Sequence, residues 1–311
     1  MMKKYDVVAI GNANIDLVLK APRLPKNDDK VVGKKLLEGV GGTVANSACV
    51  MSRLGLNVAS LSATGTDYYA DKILNDFKKF NVSQEFIDII PDLEADMAVI
   101  ILDDSGEKSL IYVPAEEQET TKTQYEQALS QCRVIYTMPG NVTKFELFAQ
   151  IAHQHQAQVA ADIEPHIADI KEKLDTILTH SDIVFFNKNG FASCVGIEPT
   201  RENLIELCQR YQLHTLVVTR GGEGAIAVTV NQWESAEHAG YRVNIVDTTG
   251  AGDTFNASFV YALINHYSLE KALEFACACA AISVGYLGAR GAIPTAEQVQ
   301  QFIQQQPITQ P

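Results

Sequence analysis

The chain has 311 residues, of which 46% are hydrophobic and 20% charged, a composition that is ordinary for a soluble globular protein. Its 25 basic and 38 acidic residues give a net charge of −13, which argues against nucleic acid or an anionic membrane surface as the main partner. No apolar stretch reaches the length of a membrane span, and the apolar run near the start is broken too often by polar residues for a signal peptide.

The cysteines point to a reducing environment. The sequence has six of them, and none forms a C-x-x-C pair. We therefore expect reduced, mostly buried thiols in a cytoplasmic protein, with no metal or redox cluster.

Strand-like and helix-like runs alternate along most of the chain. Short apolar runs predict strands at residues 7–10, 58–62, 134–136, 159–161, 183–186 and 215–218, and amphipathic runs predict helices at 44–54, 69–80, 144–155, 167–178 and 201–211. This alternation predicts an α/β fold with a mainly parallel sheet and helices on both of its faces.

Two segments interrupt that rhythm. Residues 17–39 carry two prolines and a charged patch between β-like pieces, and residues 97–102 and 109–113 flank a turn-forming stretch at 103–107. Together they could form a small antiparallel flap, which would exclude water from a phosphate site. Two separate hairpins that face solvent fit the sequence equally well.

Polar loops follow the first strand and open the first helix. Asn14 and Asp16 lie just after residues 7–10, and ligands of open parallel sheets bind at the carboxyl ends of strands. Gly42 and Asn46 lie where a glycine-rich turn begins a helix, which suits a ligand with many hydroxyl groups. A turn that merely leaves the strand and an ordinary glycine-rich connection are the alternatives.

A third loop, residues 218–225, contains Thr219, Gly221 and Gly224. Residues 222–227 fit a loose dinucleotide-binding pattern, but that pattern requires a following helix, and residues 225–230 are β-branched and alternating. We therefore expect a loop that lines a nucleotide outside a Rossmann fold.

The most informative stretch is residues 247–255, Asp-Thr-Thr-Gly-Ala-Gly-Asp-Thr-Phe, between a β-rich run at 241–246 and a helical run at 252–264. Gly250, Ala251 and Gly252 leave backbone N–H groups uncovered at the positive end of the helix, which makes an anion site. Asp253 would repel a phosphate there unless it accepts the proton of an attacking hydroxyl. The stretch favours phosphoryl transfer to an alcohol, and a first-turn acid that only complements the helix dipole is the alternative.

These four loops, in this order and over nearly the whole chain, resemble the PfkB family of carbohydrate kinases. Residues 247–255 resemble the specific C-terminal signature, and residues 41–48, followed by Leu54 and Gly55, resemble the N-terminal one. The resemblance implies a ribokinase-like fold with a small β-sheet lid. It places the lid at residues 17–40 and 96–114, and the α/β core at 1–16, 41–95 and 115–311, of which the last carries the ATP site and the catalytic base.

The resemblance also implies roles for individual residues. Asp253 is the expected base, and the amides of Gly250, Ala251, Gly252 and Asp253 the expected anion hole. Asn14, Asp16, Gly42, Asn46 and Asp253 match positions that bind the acceptor, while Asn187, Thr219, Gly221, Gly224 and Gly252 match positions at ATP. Magnesium is implied by ATP. Some relatives bind potassium beside the anion hole, where Asp247 would fit, and dimerise through the lid.

Two departures from the family pattern affect the interpretation. The motif N-x-x-E is represented by Asn187 to Gly190 and lacks its glutamate, which in relatives orders the magnesium waters. The enzyme then uses another acid, is slow, or no longer turns over. Residues 136–141 also lack the acid that contacts ribose in ribose-specific relatives, so ribose itself is disfavoured.

The sequence thus predicts an ATP-dependent kinase that phosphorylates a primary hydroxyl of a sugar or sugar-like molecule. A nucleoside kinase of the same fold, similar to adenosine kinase, is the first alternative, because Gly11 and Asn12 precede Asp16. A non-catalytic sensor of sugar or nucleotide is the more distant one, supported only by the missing glutamate.

Overall fold

Short β-branched runs form two sheets in the protein, which is represented by a computed structural model that describes residues 3–104, 108–230 and 234–306. The strands, in chain order, are β1 (Tyr5–Ile10), β2 (Asn14–Lys20), β3 (Lys34–Gly41), β4 (Val58–Thr64), β5 (Ser83–Ile89), β6 (Asp96–Leu102), β7 (Lys108–Val113), β8 (Cys132–Thr137), β9 (Gln158–Ile163), β10 (Ile183–Asn187), β11 (Thr215–Thr219), β12 (Ala225–Thr229) and β13 (Glu234–His238).

The larger sheet, within the described ranges, has nine strands in the order β13-β12-β11-β10-β9-β8-β1-β4-β5. Neighbours from β5 to β11 pair in parallel, and β12 and β13 complete the far edge antiparallel. The six strands predicted from apolar runs are all present in this sheet, and the predicted mainly parallel fold is confirmed.

Helices cover both faces of this sheet. They are α1 (Thr43–Leu54), α2 (Tyr68–Lys79), α3 (Lys122–Leu129), α4 (Val142–Gln154), α5 (Lys171–Thr179), α6 (Lys188–Val195), α7 (Arg201–Tyr211), α8 (Ala251–Ile264), α9 (Leu269–Ser283) and α10 (Ala296–Gln305). Neighbouring strand residues enter different cores: Phe185 packs with α1, α8 and α9, whereas Phe186 packs with α4, α5 and α7. Such burial on both faces explains the nearly continuous apolar strands.

Two sequence expectations about local structure are wrong. Helix α5 begins at Lys171, four residues later than the pattern predicts. Residues 241–246 form no strand, although they are rich in strand-forming side chains. The backbone there turns toward the end of α9 instead, where the amides of Val246 and Asp247 both donate to the carbonyl oxygen of Val284. The β-propensity of an isolated run is outweighed here by its tertiary partner.

The smaller sheet, in the part of the chain that the structure describes, has the order β3-β2-β6-β7. The two hairpins pair internally antiparallel, but β2 and β6 join them in parallel, so the expected purely antiparallel flap is a mixed sheet. Of the predicted turn at 103–107, residues 105–107 lie outside the described residues. The domain boundaries drawn from the sequence stay predictions. Because β2 begins at Asn14 and β3 ends at Gly41, the root of this sheet borders the polar loops.

No helix in the described ranges is long and apolar enough to cross a membrane. All six cysteines are thiols without a disulfide partner, and five of them are buried. Burial raises the pKa of the Cys49 thiol to about 12, which makes it a poor nucleophile.

Candidate active site

The turn before α8 is built to expose backbone amides. Gly250 has a φ of 75°, and a Cβ at that position would lie 2.6 Å from the Cβ of Ala289, so both the conformation and the space require glycine. No side chain caps the helix. Among the described residues, no protein acceptor bonds the amides of Gly252 and Asp253, and Gly252 is exposed. The helix therefore offers an anion site at its positive end.

Asp253 lies in the first turn of α8 and is partly buried. The Nδ2 of Asn46 donates to its Oδ2 over 2.6 Å. Burial raises the pKa of Asp253 to about 7; the Asn46 hydrogen bond and the charge of Arg290 oppose that shift, and the carboxylates of Glu164 and Asp16 add to it. A carboxyl group with a pKa near neutrality can accept a proton and release it again, as a general base must.

The predicted acceptor residues meet at the root of the smaller sheet. Asn14 and Asp16 lie on β2, and the Nδ2 of Asn14 donates to the Oδ1 of Asp16 over 2.6 Å. Gly42 caps α1, and Asn46 is 5% exposed in its first turn. Gly41, which the sequence analysis did not single out, is required by close approach: a Cβ there would lie 2.2 Å from the Oδ2 of Asp16. The pair of adjacent glycines was the signal available for it.

The residues predicted to bind the nucleotide lie at the carboxyl ends of strands of the larger sheet. Asn187 ends β10 and caps α6, accepting from the amide of Gly190 over 2.7 Å, and Thr219 ends β11 directly beside it. Gly221 lies in a single 3₁₀ turn, and Gly224 precedes β12. Strands β9 and β8 lie between β10 and β1 in the sheet. The carboxyl edge thus carries two groups of polar residues, separated by two strands.

Asp247 holds the turn before α8 in place. Its Oδ1 accepts from the backbone amide of Thr249 over 3.0 Å and from the Thr249 hydroxyl over 2.7 Å. Its Oδ2 accepts from the amide of Gly288 over 2.8 Å. The carboxylate therefore ties the loop before α8 to the loop after α9.

Two acids at the end of β9, which the sequence analysis did not single out, belong to the site. Asp162 is buried; burial and the charges of Asp253 and Glu164 raise its pKa well above the ordinary value, and the polar side chains of Asn256 and Tyr136 oppose that shift. Glu164 follows, partly buried, and its charge acts on both Asp253 and Asp162. An acidic pair at the end of a parallel strand was the signal for them.

Gly190, which stands where the family motif has glutamate, faces the end of β9. A Cβ at Gly190 would lie 3.3 Å from the Oδ1 of Asn187 and 3.5 Å from the carbonyl oxygen of Ile163, the residue before Glu164. Position 190 therefore lies against the end of β9, where Glu164 follows Ile163 in the chain. Among the described residues, no group of three or more histidine, cysteine or acidic side chains is arranged to hold a metal ion.

Arg290 is the remaining residue that sequence reasoning missed. It lies in the loop between α9 and α10, and its side chain is 7% exposed. It contacts Asn46, the carbonyl oxygen of Gly41 and the carboxylate of Asp76. No local motif marks it, because all three partners are more than 200 residues away in the chain.

Comparison with known proteins identifies the family of this chain. The model of the pfkB family carbohydrate kinases matches residues 4–296. The ribokinase of Haemophilus influenzae is 28% identical over 307 residues, which cover 96% of this chain and 98% of that protein. Two structures share the fold: a ribokinase of Arabidopsis thaliana complexed with ribose and ATP (TM-score 0.86, 22% identity, 97% and 99% of the two chains) and a nucleoside kinase of Methanocaldococcus jannaschii (TM-score 0.83, 20% identity, 98% and 100%). Because the family match spans nearly the whole sequence, this chain belongs to the pfkB family of carbohydrate kinases.

Proposed function

We propose that this protein transfers the γ-phosphoryl group of ATP to a primary hydroxyl of a sugar or sugar-like molecule. Membership of the family establishes a phosphotransferase with an alcohol acceptor, and the finer statement rests on one observation. Asp253, with a pKa near 7, lies against Asn46 in the first turn of a helix whose Gly252 and Asp253 amides have no protein acceptor among the described residues. A base and an anion site in one turn are the two elements that phosphoryl transfer to an alcohol needs.

In this mechanism the acceptor lies between β2 and α1. Asn14, Asp16, Gly42 and Asn46 hold its hydroxyl groups, and Asp253 takes the proton of the hydroxyl that attacks phosphorus. The proton goes to the carboxylate as the new P–O bond forms and the bond to the leaving ADP oxygen breaks. The amides of Gly250, Ala251, Gly252 and Asp253 stabilise the charge on the transferring group.

ATP is proposed to lie along the ends of β10 and β11. Asn187, Thr219, Gly221 and Gly224 would border its phosphates and ribose, with Gly252 at the terminal phosphate. Magnesium supplies charge neutralisation on that phosphate when bound. We expect this ion to be held mainly by phosphate oxygens and water, since the described residues offer no group of three histidine, cysteine or acidic side chains that could hold a metal. We propose that Glu164 orients those waters in place of the absent acid at position 190.

The nucleoside-kinase alternative loses its sequence support. The side chain of Asn12 is used within the protein: its Nδ2 donates to Asp96 over 3.0 Å, and its Oδ1 accepts from the amide of Ala63 over 3.1 Å. These contacts tie the loop after β1 to β4 and β6, which explains the residue without a nucleobase. Because structural similarity at 20% identity concerns the fold alone, the archaeal nucleoside kinase does not favour that substrate.

The test is a panel of sugars, sugar derivatives and nucleosides, with ADP release measured in the presence of ATP, Mg²⁺ and K⁺. We expect release with a sugar or sugar-like acceptor and confirmation by mass spectrometry of the phosphorylated product. Release with nucleosides alone would overturn the sugar assignment. ATP binding without release for any acceptor would favour the sensor.

The smaller sheet is proposed to act as the lid and as a homodimer contact. On its edge strand β7, the consecutive side chains Leu110, Ile111, Tyr112 and Val113 are 50–59% exposed. Four consecutive apolar residues on an edge strand mark an association surface. Light scattering should give twice the chain mass of 34.0 kDa for the wild type and the monomer mass for Ile111→Lys. The control Ile170→Lys changes a residue that is 51% exposed at the start of α5, away from β7, and should remain a dimer. A monomeric wild type would contradict the dimer.

A further part of the proposal concerns a monovalent cation. A potassium ion beside the anion hole would have the Asp247 carboxylate as its charged neighbour, and activity should then be higher in KCl than in NaCl of equal concentration. We also propose a cytoplasmic location, which is supported by the six cysteines that carry no disulfide. Fractionation of cells that express the protein tests it.

A further inference from the structure

We propose that Arg290 is a positioning residue that holds the side-chain amide of Asn46 in the orientation that presents its NH₂ group to Asp253. The inference rests on the proposed role of Asp253 as the base. Arg290 itself does not touch that carboxylate through any hydrogen bond in the described structure, and it acts through Asn46.

The contacts of Arg290 leave it little freedom. Its Nε donates to the Oδ1 of Asn46 over 2.9 Å, its Nη2 donates to the carbonyl oxygen of Gly41 over 3.1 Å, and its Nη1 pairs with the carboxylate of Asp76. These partners belong to α1, β3 and α2. A guanidinium that is 7% exposed and bonded on three sides is fixed in one rotamer.

The orientation of Asn46 follows from donor and acceptor chemistry. A guanidinium can only donate, so the atom of Asn46 that faces Arg290 must be the carbonyl oxygen. The NH₂ group is then on the other side, where it donates to the Oδ2 of Asp253 over 2.6 Å. The reversed amide would set two donors against each other and a carbonyl oxygen against a carboxylate. Among the described residues no donor bonds the Oδ1 of Asp253, which is thus left for the acceptor hydroxyl.

The same chain of contacts governs the charge of the base. The titratable and charged groups that interact with Asp253 come from several elements. They are Asp162 on β9, Glu164 directly after β9, Asp16 on β2, Tyr136 on β8 and Arg290 in the loop after α9. The acids and burial favour the protonated carboxyl, whereas Arg290 and the Asn46 amide favour the carboxylate. Removing Arg290 takes away its positive charge and lets the amide rotate, and both changes raise the pKa of Asp253.

The experiment compares kcat as a function of pH for the wild type, Arg290→Gln and Arg290→Lys. We expect the midpoint of the acidic limb to move up by about one pH unit in Arg290→Gln, so that kcat at pH 7 falls about fivefold and recovers at high pH. Arg290→Lys keeps the charge but not the three-sided fork, so its midpoint should lie between the other two.

Lys72→Gln is the matched control. The Nζ of Lys72 bonds the carbonyl oxygen of Glu38 over 3.1 Å and its carboxylate over 2.8 Å, so it also ties α2 to β3, but it does not contact Asn46. Its pH midpoint should equal that of the wild type. If Arg290→Gln lowers kcat equally at every pH, with an unchanged midpoint, Arg290 is only a structural residue and the proposal is wrong. If that variant does not fold, the same judgement is made on Arg290→Lys.

A second measurement separates this inference from the proposed function. Titration of ¹³Cγ-labelled aspartates by NMR gives the pKa of Asp253 directly, with the signal assigned by its loss in Asp253→Asn. An upward shift in Arg290→Gln supports the inference even if another residue proves to be the base. An unchanged titration midpoint in Arg290→Gln would overturn the inference, whereas normal turnover of Asp253→Asn would overturn only the function.

Discussion

The two ends of the candidate site are held together in different ways. At the catalytic end, Asn46 bonds Asp253 across 207 positions of sequence and Arg290 bonds Asn46 across 244, and both Asn46 and Arg290 are nearly buried. At the nucleotide end, the ion pair of Lys188 and Glu223 has side chains that are 47% and 69% exposed. The end at Asp253 is thus a nearly buried network of hydrogen bonds, while the end at Lys188 and Glu223 is exposed to solvent.

The local contacts of the nucleotide end make the same point. Asn187 bonds the amide only three residues ahead of it, as a helix cap does, and is itself exposed. Interactions of this kind are made by the local chain and need no distant partner. The contrast indicates that Asp253 and its supports are held in place by distant partners before ligands bind, whereas the residues at the ends of β10 and β11 are held by local contacts.

The largest expected effect is at the centre of the fixed network. Asp253→Asn keeps the shape and the bond-forming capacity of the side chain but cannot accept the acceptor's proton, so turnover should fall by about 10²- to 10⁴-fold. Affinity for a non-hydrolysable ATP analogue, measured by calorimetry, should be nearly unchanged because the nucleotide end is separate. Near-normal turnover would remove Asp253 from the mechanism.

The second prediction contrasts one ion pair from each end. Asp76→Asn leaves the nearly buried guanidinium of Arg290 without its countercharge and should lower the free energy of unfolding by about 3 kcal/mol. Glu223→Gln breaks an exposed pair and should leave that free energy unchanged within error. Urea unfolding of both variants tests the contrast, and equal losses would refute the distinction between the two ends.

The third prediction concerns the pH dependence of stability. The pKa of Asp253 is raised in the folded protein from 3.8 to about 7, so its contribution to stability is fully present below 3.8 and is lost as the pH rises through about 7. Relative to Asp253→Asn, the wild type should lose on the order of 4 kcal/mol of unfolding free energy over that window. Parallel pH profiles for the two proteins would show that the carboxyl titrates normally.

The smallest effect is expected where the two ends meet. If Glu164 orients magnesium waters in place of the acid absent at Gly190, Glu164→Gln should raise the Mg²⁺ concentration for half-maximal activity about tenfold. The readout that does not depend on turnover is Mn²⁺ binding in the presence of the ATP analogue, followed by electron paramagnetic resonance. Lys188→Gln, which removes only an exposed charge at the same edge, is the control and should leave metal affinity unchanged.

Much of this molecule was readable from local patterns alone. Alternating apolar runs gave the parallel sheet and its covering helices, because the period of side-chain burial is a property of neighbouring residues. The candidate anion site and base at Gly250 to Asp253 could be predicted for the same reason, since the uncovered amides and the acid are neighbours within one helical turn. Residues 241–246 show the limit of such reading, because their strand-like side chains are overruled by the carbonyl oxygen of Val284.

The tertiary structure decided what the catalytic carboxyl can do. A sequence can name Asp253, but its pKa of about 7 is raised by burial, Glu164 and Asp16 and held down by Asn46 and Arg290, four residues that the fold brings together from separate segments. Likewise, nothing near Arg290 in the sequence marks it as a partner of Asn46. Electrostatic and hydrogen-bond energies depend on distances in space, and those distances are set only when segments more than 200 residues apart pack together.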